Sequence, residues 1–261
     1  MTARVLVVGA CGRMGEQVRK YLDREPGLVL AAALEAPGHP QLGETLAPGV
    51  VVSADAEAAL AAADVAIDFT IPRVTLATLR AAAKAGVAYV AGTTGLAPEE
   101  RAEIARLAEA IPVVHAANFS IAVHVLAHLA REAARLLGPG FHAELLELHH
   151  AAKRDAPSGT ALYLAEAVAA GQGAPLPDRV VLHRSGETGP RPPGAIGIQT
   201  LRGGDNAGEH TVYFIGTGER IELAHRAATR DHFAIGAVRA AAWIVGQPPG
   251  LHPIERVLGL G

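Results

Sequence analysis

The sequence has very little cysteine, since Cys11 is the single one among 261 residues. One cysteine cannot form a disulfide within a chain, which excludes a disulfide-stabilised scaffold. The chain also lacks an excess of charge of either sign. Its 23 lysine and arginine residues nearly balance 26 aspartate and glutamate residues, and the net charge is −3. So small a charge gives no electrostatic basis for binding nucleic acid or an anionic membrane surface.

Long apolar runs are absent as well. No run approaches the roughly 20 residues of a membrane-spanning helix. The first residues, Met1 to Arg4, lead straight into Val5-Leu6-Val7-Val8, without the apolar core and cleavage site of a signal peptide. We therefore expect a soluble cytoplasmic protein with no membrane partner. Apolar residues nevertheless make up 50% of the chain, so it can bury one large core or two modest ones.

The chain opens with a strand, a glycine-rich turn and a helix. An apolar run at residues 4–8 precedes Gly9-Ala10-Cys11-Gly12-Arg13-Met14-Gly15, and helical spacing follows over residues 16–22. This glycine spacing is a variant of the dinucleotide-binding fingerprint, in which glycines allow a tight turn and close approach of the backbone to a pyrophosphate. A second apolar run, residues 28–34, ends at Glu35, which is placed to accept hydrogen bonds from an adenosine ribose. Together these features predict a dinucleotide site.

Strands and helices continue to alternate through residue 120. Apolar runs at 50–52, 65–70, 87–91 and 112–116 alternate with helical patterns at 55–63, 73–85 and 98–110, and residues 37–48 read as a surface loop. This alternation predicts an α/β fold with a doubly wound parallel sheet. Small or polar residues follow three strands, at Phe69-Thr70, Gly92-Thr93-Thr94 and Asn118-Phe119, where such sheets bind ligands. Taken alone, the segment at 92–94 fits a plain βα turn equally well.

The pattern changes after a long helix at residues 120–137. Strands are expected at 141–148, 179–183, 195–201, 210–216 and 219–226, with a helix from 161. These elements predict an α+β domain on a mixed or mostly antiparallel sheet. Residues 185–194 form either a loop or an arm to another subunit, a final helix spans about 232–245, and the tail from 247 is a loop with a short amphipathic turn. We expect a dinucleotide-binding domain at 1–120, completed by 231–261, and a substrate-binding and oligomerisation domain at 121–230.

Groups suited to chemistry are concentrated between residues 147 and 160. The run is Glu147-Leu148-His149-His150-Ala151-Ala152-Lys153-Arg154-Asp155-Ala156-Pro157-Ser158-Gly159-Thr160. Ser158 is a good N-cap, and the N–H groups of Gly159 and Thr160 lie in the first turn of a helix, where backbone donors and the helix dipole bind anions. The run therefore combines proton-transfer groups with an anion site. The alternative is a solvated basic loop before a capped helix.

Two other features are interpreted as structural. Cys11 has no histidine near it in sequence, so we take it as a small residue tolerated between glycines rather than as a nucleophile. His124 and His128 lie one turn apart on the long helix and have a spacing that can bind metal. No third ligand is suitably spaced, so we interpret both as helix-packing residues and predict no metal site.

These residues together resemble the 4-hydroxy-tetrahydrodipicolinate reductase (dihydrodipicolinate reductase) family over nearly the whole chain. The run from His149 to Ala161 is similar to the family's long signature. The glycine turn, Gly92-Thr93-Thr94-Gly95 and Ala116-Ala117-Asn118-Phe119-Ser120 look like its three cofactor loops. The resemblance implies a dinucleotide-binding domain joined to a sheet domain that assembles a homotetramer. It also implies NADH or NADPH as cofactor and a cyclic dicarboxylate substrate, reduced with loss of water.

The resemblance also implies roles for individual residues. It assigns acid–base duty to His149, proton donation to Lys153, and substrate binding to His150, Gly159 and Thr160. The implied cofactor residues are Gly9, Ala10, Cys11, Gly12, Arg13, Met14, Glu35, Gly92, Thr93, Thr94, Ala116, Ala117, Asn118 and Phe119.

The chain departs from the family pattern at two positions. Ala122 stands where the family often has glycine. Ala36 follows Glu35 where members preferring the phosphorylated cofactor can carry arginine, so we expect NADH to be used at least as well as NADPH.

Three alternatives remain open. A semialdehyde dehydrogenase needs a cysteine in its second domain, which this chain lacks. A homoserine-type dehydrogenase fits the architecture but not the run at 147–160. A non-catalytic nucleotide sensor would keep the glycine turn but would have no need for Lys153 beside an anion-binding turn.

Overall fold

A computed structural model describes residues 2–260 of the chain. They divide into two compact units, the first formed by residues 2–120 with 231–260 and the second by residues 121–230. The strands are β1 (Ala3–Val8), β2 (Leu28–Leu34), β3 (Thr45–Ala47), β4 (Val50–Ser53), β5 (Val65–Asp68), β6 (Ala88–Ala91), β7 (Pro112–His115), β8 (His142–His149), β9 (Val180–Val181), β10 (Ile196–Arg202), β11 (Glu209–Ile215), β12 (Arg220–Arg226) and β13 (Gly250–His252). The α-helices are α1 (Arg13–Leu22), α2 (Ala56–Ala61), α3 (Pro72–Ala85), α4 (Pro98–Leu107), α5 (Ile121–Leu137), α6 (Gly159–Gly171), α7 (Asp231–Ile244) and α8 (Ile254–Val257).

The first unit is built on a sheet with the strand order β13-β7-β6-β5-β1-β2-β4-β3. Neighbouring strands from β13 to β4 run parallel, and β3 pairs antiparallel with β4 at one edge. β1 lies in the middle, where the chain order reverses. The carboxyl ends of the parallel strands therefore meet along one edge of the sheet, at the kind of position where such folds bind ligands.

Both faces of this sheet are covered by helices. Val5 and Val7 pack in one core cluster with residues of α1 and α7, whereas Leu6 and Val8 pack in another with residues of α3 and α4. Successive side chains of a strand point to opposite faces, so the unbroken apolar run of β1 supplies both cores. The predicted α/β fold with a doubly wound sheet is confirmed.

The second unit is built on a five-stranded sheet with the order β12-β11-β8-β10-β9. β8, β9 and β10 run parallel, and β11 runs antiparallel to β8 and β12, so the sheet is mixed. One face packs on α5 and α6, where Leu145, Ile196 and Val212 meet Leu126 and Leu164. These helices leave the other face of the sheet uncovered within the described residues.

Several sequence expectations are wrong in detail. The tail from 247 was expected to be loop, but Gly250–His252 forms β13 beside β7. The loop expected at 37–48 contains β3, and the strand expected at 179–183 shrinks to Val180–Val181. These strands are two or three residues long, too short to show the alternation from which a strand is predicted.

The two histidines of α5 behave differently. His124 is buried, and its Nδ1 lies 3.0 Å from the hydroxyl of Tyr163 on α6. This confirms that His124 is a helix-packing residue. His128 is exposed, so the same interpretation is wrong for that position.

Candidate active site

The glycine turn lies between β1 and α1. Gly9 has a φ of +70°, and Gly12 is the N-cap of α1, its N–H donating to the carbonyl of Gly9 at 3.1 Å. A Cβ at Gly15 would collide with the backbone of Gly9 and Ala10, so only glycine lets α1 pack this closely against the turn. The exposed Arg13 and half-buried Met14 begin the helix. A tight turn feeding a helix N-terminus fits the pyrophosphate of a dinucleotide.

Glu35 lies beside this turn at the end of β2. Its Oε1 accepts from the N–H of Cys11 at 2.8 Å, and its Oε2 accepts from the N–H of Ala36 at 3.3 Å. Burial and the charge of Glu35 raise the pKa of the Cys11 thiol. A thiol with a raised pKa stays protonated and is a poor nucleophile, which agrees with the structural interpretation of Cys11.

The segment after β6 is held by neighbouring side chains. The Oγ1 of Thr93 lies 2.6 Å from that of Thr75, and the carbonyl of Thr93 lies 3.1 Å from Nε2 of His115. A Cβ at Gly92 would collide with the ring of Phe69. Thr94 is exposed. The turn therefore presents the Thr94 side chain to solvent, while Gly92 and Thr93 are held by their neighbours.

The segment after β7 is fixed mainly by its backbone. The N–H of Ala116 donates to the carbonyl of Ala91 at 3.1 Å, and the N–H of Ser120 donates to Oδ1 of Asn118 at 2.7 Å. Phe119 is buried edge-to-face against Phe69, and Ala117 is exposed. Because β1, β2, β6 and β7 are parallel, the structure brings all the sequence-predicted cofactor residues to one edge of the sheet.

In the second unit, the buried face of β8 changes from apolar to polar along the strand. Ala143 and Leu145 belong to the core, and Glu147 and His149 continue the same face, 0% and 8% exposed. Two residues apart on a strand, their side chains are neighbours. The polar pair therefore lies at the carboxyl end of β8, where the strand runs into the loop that contains Lys153.

Neighbouring strands bring further polar side chains to this pair. The sheet register places Thr200 of β10 and His210 of β11 opposite Glu147, and Arg202 of β10 opposite His149. Residues opposite one another share a face of the sheet. Side chains more than 50 positions apart in the sequence therefore form one buried cluster.

Glu147 is the most heavily hydrogen-bonded member of the cluster. Arg202 donates to both carboxylate oxygens at 2.9 and 3.0 Å, Thr200 Oγ1 and the N–H of Ser158 each donate to Oε1 at 3.1 Å, and Nδ1 of His149 bonds Oε2. Burial raises the pKa of Glu147, but the hydrogen bonds from Arg202, His149 and Ser158 outweigh it and hold the pKa below its ordinary value. Glu147 is thus a carboxylate near neutral pH.

His149 is the member to which the resemblance assigns acid–base duty, and it is 8% exposed. Burial lowers the pKa of His149, although the Glu147 carboxylate opposes this, so the ring is neutral near pH 7. An ionised carboxylate can only accept, so Nδ1 of His149 donates and Nε2 keeps its lone pair. A Cβ at Gly208 would lie 2.9 Å from this Nε2. Glycine at position 208 therefore leaves room beside the nitrogen that can exchange protons.

His210 supports the start of α6. Its Nε2 lies 3.1 Å from Oγ of Ser158, which accepts from the N–H of Ala161 as the N-cap, also at 3.1 Å. The predicted capping role of Ser158 is confirmed. Burial, with a smaller effect of the neighbouring His149, lowers the pKa of His210 to about 3. His210 is therefore a neutral, structural histidine under physiological conditions.

The side chains of Glu147, His149 and His210 could also be considered as metal ligands. Their ligand atoms lie within 4.8 Å of one another. Both oxygens of Glu147 already accept hydrogen bonds, and the guanidinium of Arg202 places a positive charge against them. This donor set fits a hydrogen-bond network better than a cation, and the expectation of no metal remains a prediction.

The other predicted substrate residues lie in the loop after β8 and at the start of α6. Lys153 Nζ donates to both oxygens of Asp155 at 2.8 Å, and His150 Nε2 lies 3.2 Å from Nη2 of Arg230. Gly159 begins α6 and is exposed, with Thr160 next to it. The structure therefore brings His149, His150, Lys153, Gly159 and Thr160 to one end of the second unit.

Five residues of this end have no role predicted from the sequence. These are Glu147, Thr200, Arg202, His210 and Arg230. Glu147 could have been found, because it lies two positions before His149 on a predicted strand. The others depend on the pairing of distant strands, for which the sequence carries no local signal.

No helix among residues 2–260 is both long and apolar enough to cross a membrane.

The chain matches two family models in succession. The model described as "Dihydrodipicolinate reductase, N-terminus" matches residues 3–119, and the model described as "Dihydrodipicolinate reductase, C-terminus" matches residues 122–258. The 4-hydroxy-tetrahydrodipicolinate reductase of Anaeromyxobacter dehalogenans (strain 2CP-1) is 49% identical over 98% of this chain and 98% of its own. That of Syntrophotalea carbinolica is 48% identical over 98% and 99%.

Among solved structures, the chain resembles a dipicolinate-bound dihydrodipicolinate reductase from Paenisporosarcina sp. TG-14. The TM-score is 0.80 and the identity 26%, with 97% of this chain and 98% of that chain covered. The similarity therefore extends over both units.

Proposed function

The chain belongs to the dihydrodipicolinate reductase family, and we propose how its own residues carry out that family's reaction. The reaction is the NAD(P)H-dependent reduction of 4-hydroxy-tetrahydrodipicolinate to tetrahydrodipicolinate, a step of diaminopimelate and lysine biosynthesis. The substrate is a cyclic dicarboxylate. When bound, the reduced nicotinamide supplies the hydride. The protein must hold a dianion and deliver a proton.

One observation carries the proposal for the residues. His149 ends β8, and Lys153 lies in the loop that joins β8 to the first turn of α6, so one segment of the second unit carries two groups able to transfer protons. The 4-hydroxyl group leaves as water, and a hydride arriving at the ring double bond that results leaves negative charge that a proton must neutralise. Lys153 donates this proton, and His149 exchanges protons through Nε2.

The anchor for the substrate is the first turn of α6. The N–H groups of Gly159 and Thr160 bind one carboxylate, aided by the positive end of the helix dipole. His150, with Arg230 3.2 Å away, contributes to binding the dianion. A dicarboxylate has two carboxylate groups to bind. This end of the second unit offers both backbone and side-chain hydrogen-bond donors for them.

The cofactor lies on the first unit. The glycine turn, residues 9–14, binds the pyrophosphate, and Glu35 accepts from the adenosine ribose. The segments at 92–94 and 116–119 line the remainder of the site. Glu35 followed by Ala36 favours a ribose diol over a 2′-phosphate, so NADH is used at least as well as NADPH.

The activity is tested with purified protein and freshly made product of dihydrodipicolinate synthase. Reduced nicotinamide, followed by its absorbance, is consumed only when that product is present. Binding of the cofactor without turnover would instead favour a nucleotide sensor.

The second unit also has a surface suited to self-association. The face of its sheet opposite α5 and α6 carries Leu201 and Ile215, 48% and 40% exposed, beside Leu146 and Leu148. A second copy of the chain would bury this face, and the assembled form is a homotetramer. Light scattering at micromolar concentration measures the mass, and a monomer would contradict the assignment.

A further inference from the structure

We propose that Glu147 is a positioning residue that sets the proton on His149 and, with the same carboxylate, holds the start of α6. The inference rests on the proposed function, in which His149 transfers protons and α6 binds a carboxylate. Glu147 touches neither substrate nor cofactor in this role. It acts through the two groups that do.

The effect on His149 follows from the hydrogen bond at Nδ1. Arg202 donates to both oxygens of Glu147, which keeps the carboxylate ionised and able only to accept. Nδ1 of His149 must then carry the hydrogen, and Nε2 is left as the basic nitrogen. Without Glu147, neither ring nitrogen would be preferred, and the ring would lose the contact that fixes its orientation.

The effect on α6 follows from Oε1, the carboxylate oxygen of Glu147 that does not bond His149. Oε1 of Glu147 accepts from the N–H of Ser158 at 3.1 Å, and the hydroxyl of Ser158 caps the helix at Ala161. His210 holds the same hydroxyl from β11. The residue that starts the anion-binding turn is therefore attached to two strands of the sheet, and Glu147 provides the attachment at the backbone.

Glu147 is completely buried, 0% exposed. Thr200 and Arg202 on β10 hold its carboxylate in place through hydrogen bonds. The charged and titratable groups that face His149 are Glu147 on its own strand, Arg202 on β10, His210 on β11 and Lys153 in the loop. Glu147 is the only anion among these four.

The test compares Glu147→Gln with a matched variant, Glu144→Gln. A glutamine at 147 keeps the shape but turns an NH₂ group toward donors. We expect kcat/KM to fall roughly 10²-fold, since a histidine with the wrong tautomer loses its acid–base contribution, and its pH profile to shift. The Kd for dipicolinate, measured by calorimetry, rises about tenfold because the first turn of α6 is displaced.

Glu144 is a suitable control because it lies on the same strand. It points to the opposite face from Glu147 and His149, where it accepts from Arg184 and Arg191. Glu144→Gln therefore loses a comparable pair of ionic contacts. Its kcat/KM, pH profile and dipicolinate affinity stay near those of the unmodified protein. Equal behaviour of the two variants would overturn the proposal.

A second measurement needs no variant. Nitrogen-15 NMR of histidine-labelled protein near pH 7.5 reports which nitrogen of His149 is protonated. Hydrogen on Nδ1 supports the proposal, and hydrogen on Nε2 overturns it, whether or not Glu147→Gln folds. If the protein had no reductase activity, the proposed function would fail, but the NMR result and the dipicolinate affinities would still decide the role of Glu147.

Discussion

The two sites are built in different ways. In the first unit the candidate cofactor site is made mostly of backbone. The turn at Gly9 and Gly15 can form because these two residues have no side chain. In the second unit the candidate catalytic end is made of side chains, and the buried Glu147 and His149 are bonded to each other and to the half-buried Arg202. We therefore expect that added side-chain atoms disrupt the first site, whereas removal of side chains disrupts the second.

Removal of a side chain from the second unit should have the largest effect. Lys153→Ala should lower kcat roughly 10²–10⁴-fold, the usual contribution of a proton-transfer group. The Kd for the nicotinamide cofactor, measured by fluorescence titration, should hardly change, because Lys153 belongs to the other unit. Lys84→Ala removes an exposed lysine of α3 and serves as the control with normal kcat. A near-normal kcat in Lys153→Ala would contradict the proton-donor role.

The proposed anion-binding turn at Gly159 and Thr160 is the exception within the second unit, because its donors would be backbone groups. Thr160→Pro removes an N–H at a helix position where proline is tolerated. A hydrogen bond to a charged group contributes about 1.5–3 kcal/mol, so the Kd for dipicolinate should rise about 10- to 100-fold. The melting temperature should change far less. Unchanged inhibitor affinity would show that the N–H of Thr160 does not bind the ligand. The second site would then consist of side chains only.

Addition of one methyl group tests the first unit. A Cβ at Gly15 meets the backbone of Gly9 and Ala10, so Gly15→Ala must push α1 away from the turn. Such overpacking costs about 1–3 kcal/mol, and we expect a lower melting temperature together with roughly tenfold weaker binding of the dinucleotide. Gly27→Ala is the control, since nothing lies within 4 Å of a Cβ there. Equal binding of the dinucleotide by both variants would show that the turn does not require glycine at position 15.

The contrast also explains how much could be predicted from the sequence. The elements of the first unit and its candidate cofactor residues lie close together in the sequence, so the segment from Gly9 to Glu35 could be interpreted from periodicity and turn chemistry alone. His149, Lys153 and Ser158 were equally visible because they lie within ten consecutive residues. Arg202 and His210 were not, because register decides which residues of β10 and β11 lie opposite β8. β13 was missed because it pairs through three residues between prolines.

Acid should destabilise the protein through the buried histidines of the second unit. The pKa of His210 is lowered to about 3, whereas in the unfolded chain it is about 6.5. Below pH 6.5 the unfolded state binds a proton that the folded state does not, so the free energy of unfolding falls as the pH falls toward 3. The lowered pKa values of His149 and Glu147 act in the same direction.

The measurement is the melting temperature between pH 7 and pH 4. His210→Gln removes the largest of these titrations, so its melting temperature should fall less steeply with acid, by at least about 2 °C over this range, the shift expected for about 1 kcal/mol. His128→Gln, at an exposed position of α5, should follow the unmodified protein. Parallel curves for all three proteins would show that burial of His210 is not linked to acid stability.

The smallest expected effect concerns Ala36, a small residue at the surface of the first unit. Ala36 is exposed next to Glu35, whose carboxylate repels a 2′-phosphate carrying nearly two negative charges. Ala36→Arg supplies a cation for that phosphate. Exposed ion pairs contribute about 0.2–1 kcal/mol, so the ratio of kcat/KM for NADPH over NADH should rise up to about fivefold. The change should lie mostly in KM, since the contact is remote from hydride transfer.

Steady-state titrations with both cofactors at fixed ionic strength measure this ratio. Ala36→Gln extends the side chain without charge, and it should leave the ratio unchanged. Added salt should reduce the gain in Ala36→Arg, because the interaction is at the surface and is screened. A strong preference of the unmodified protein for NADPH would show that Arg13 or another cation outweighs Glu35. In that case a cation of the first unit, and not the Glu35 carboxylate, would decide cofactor choice.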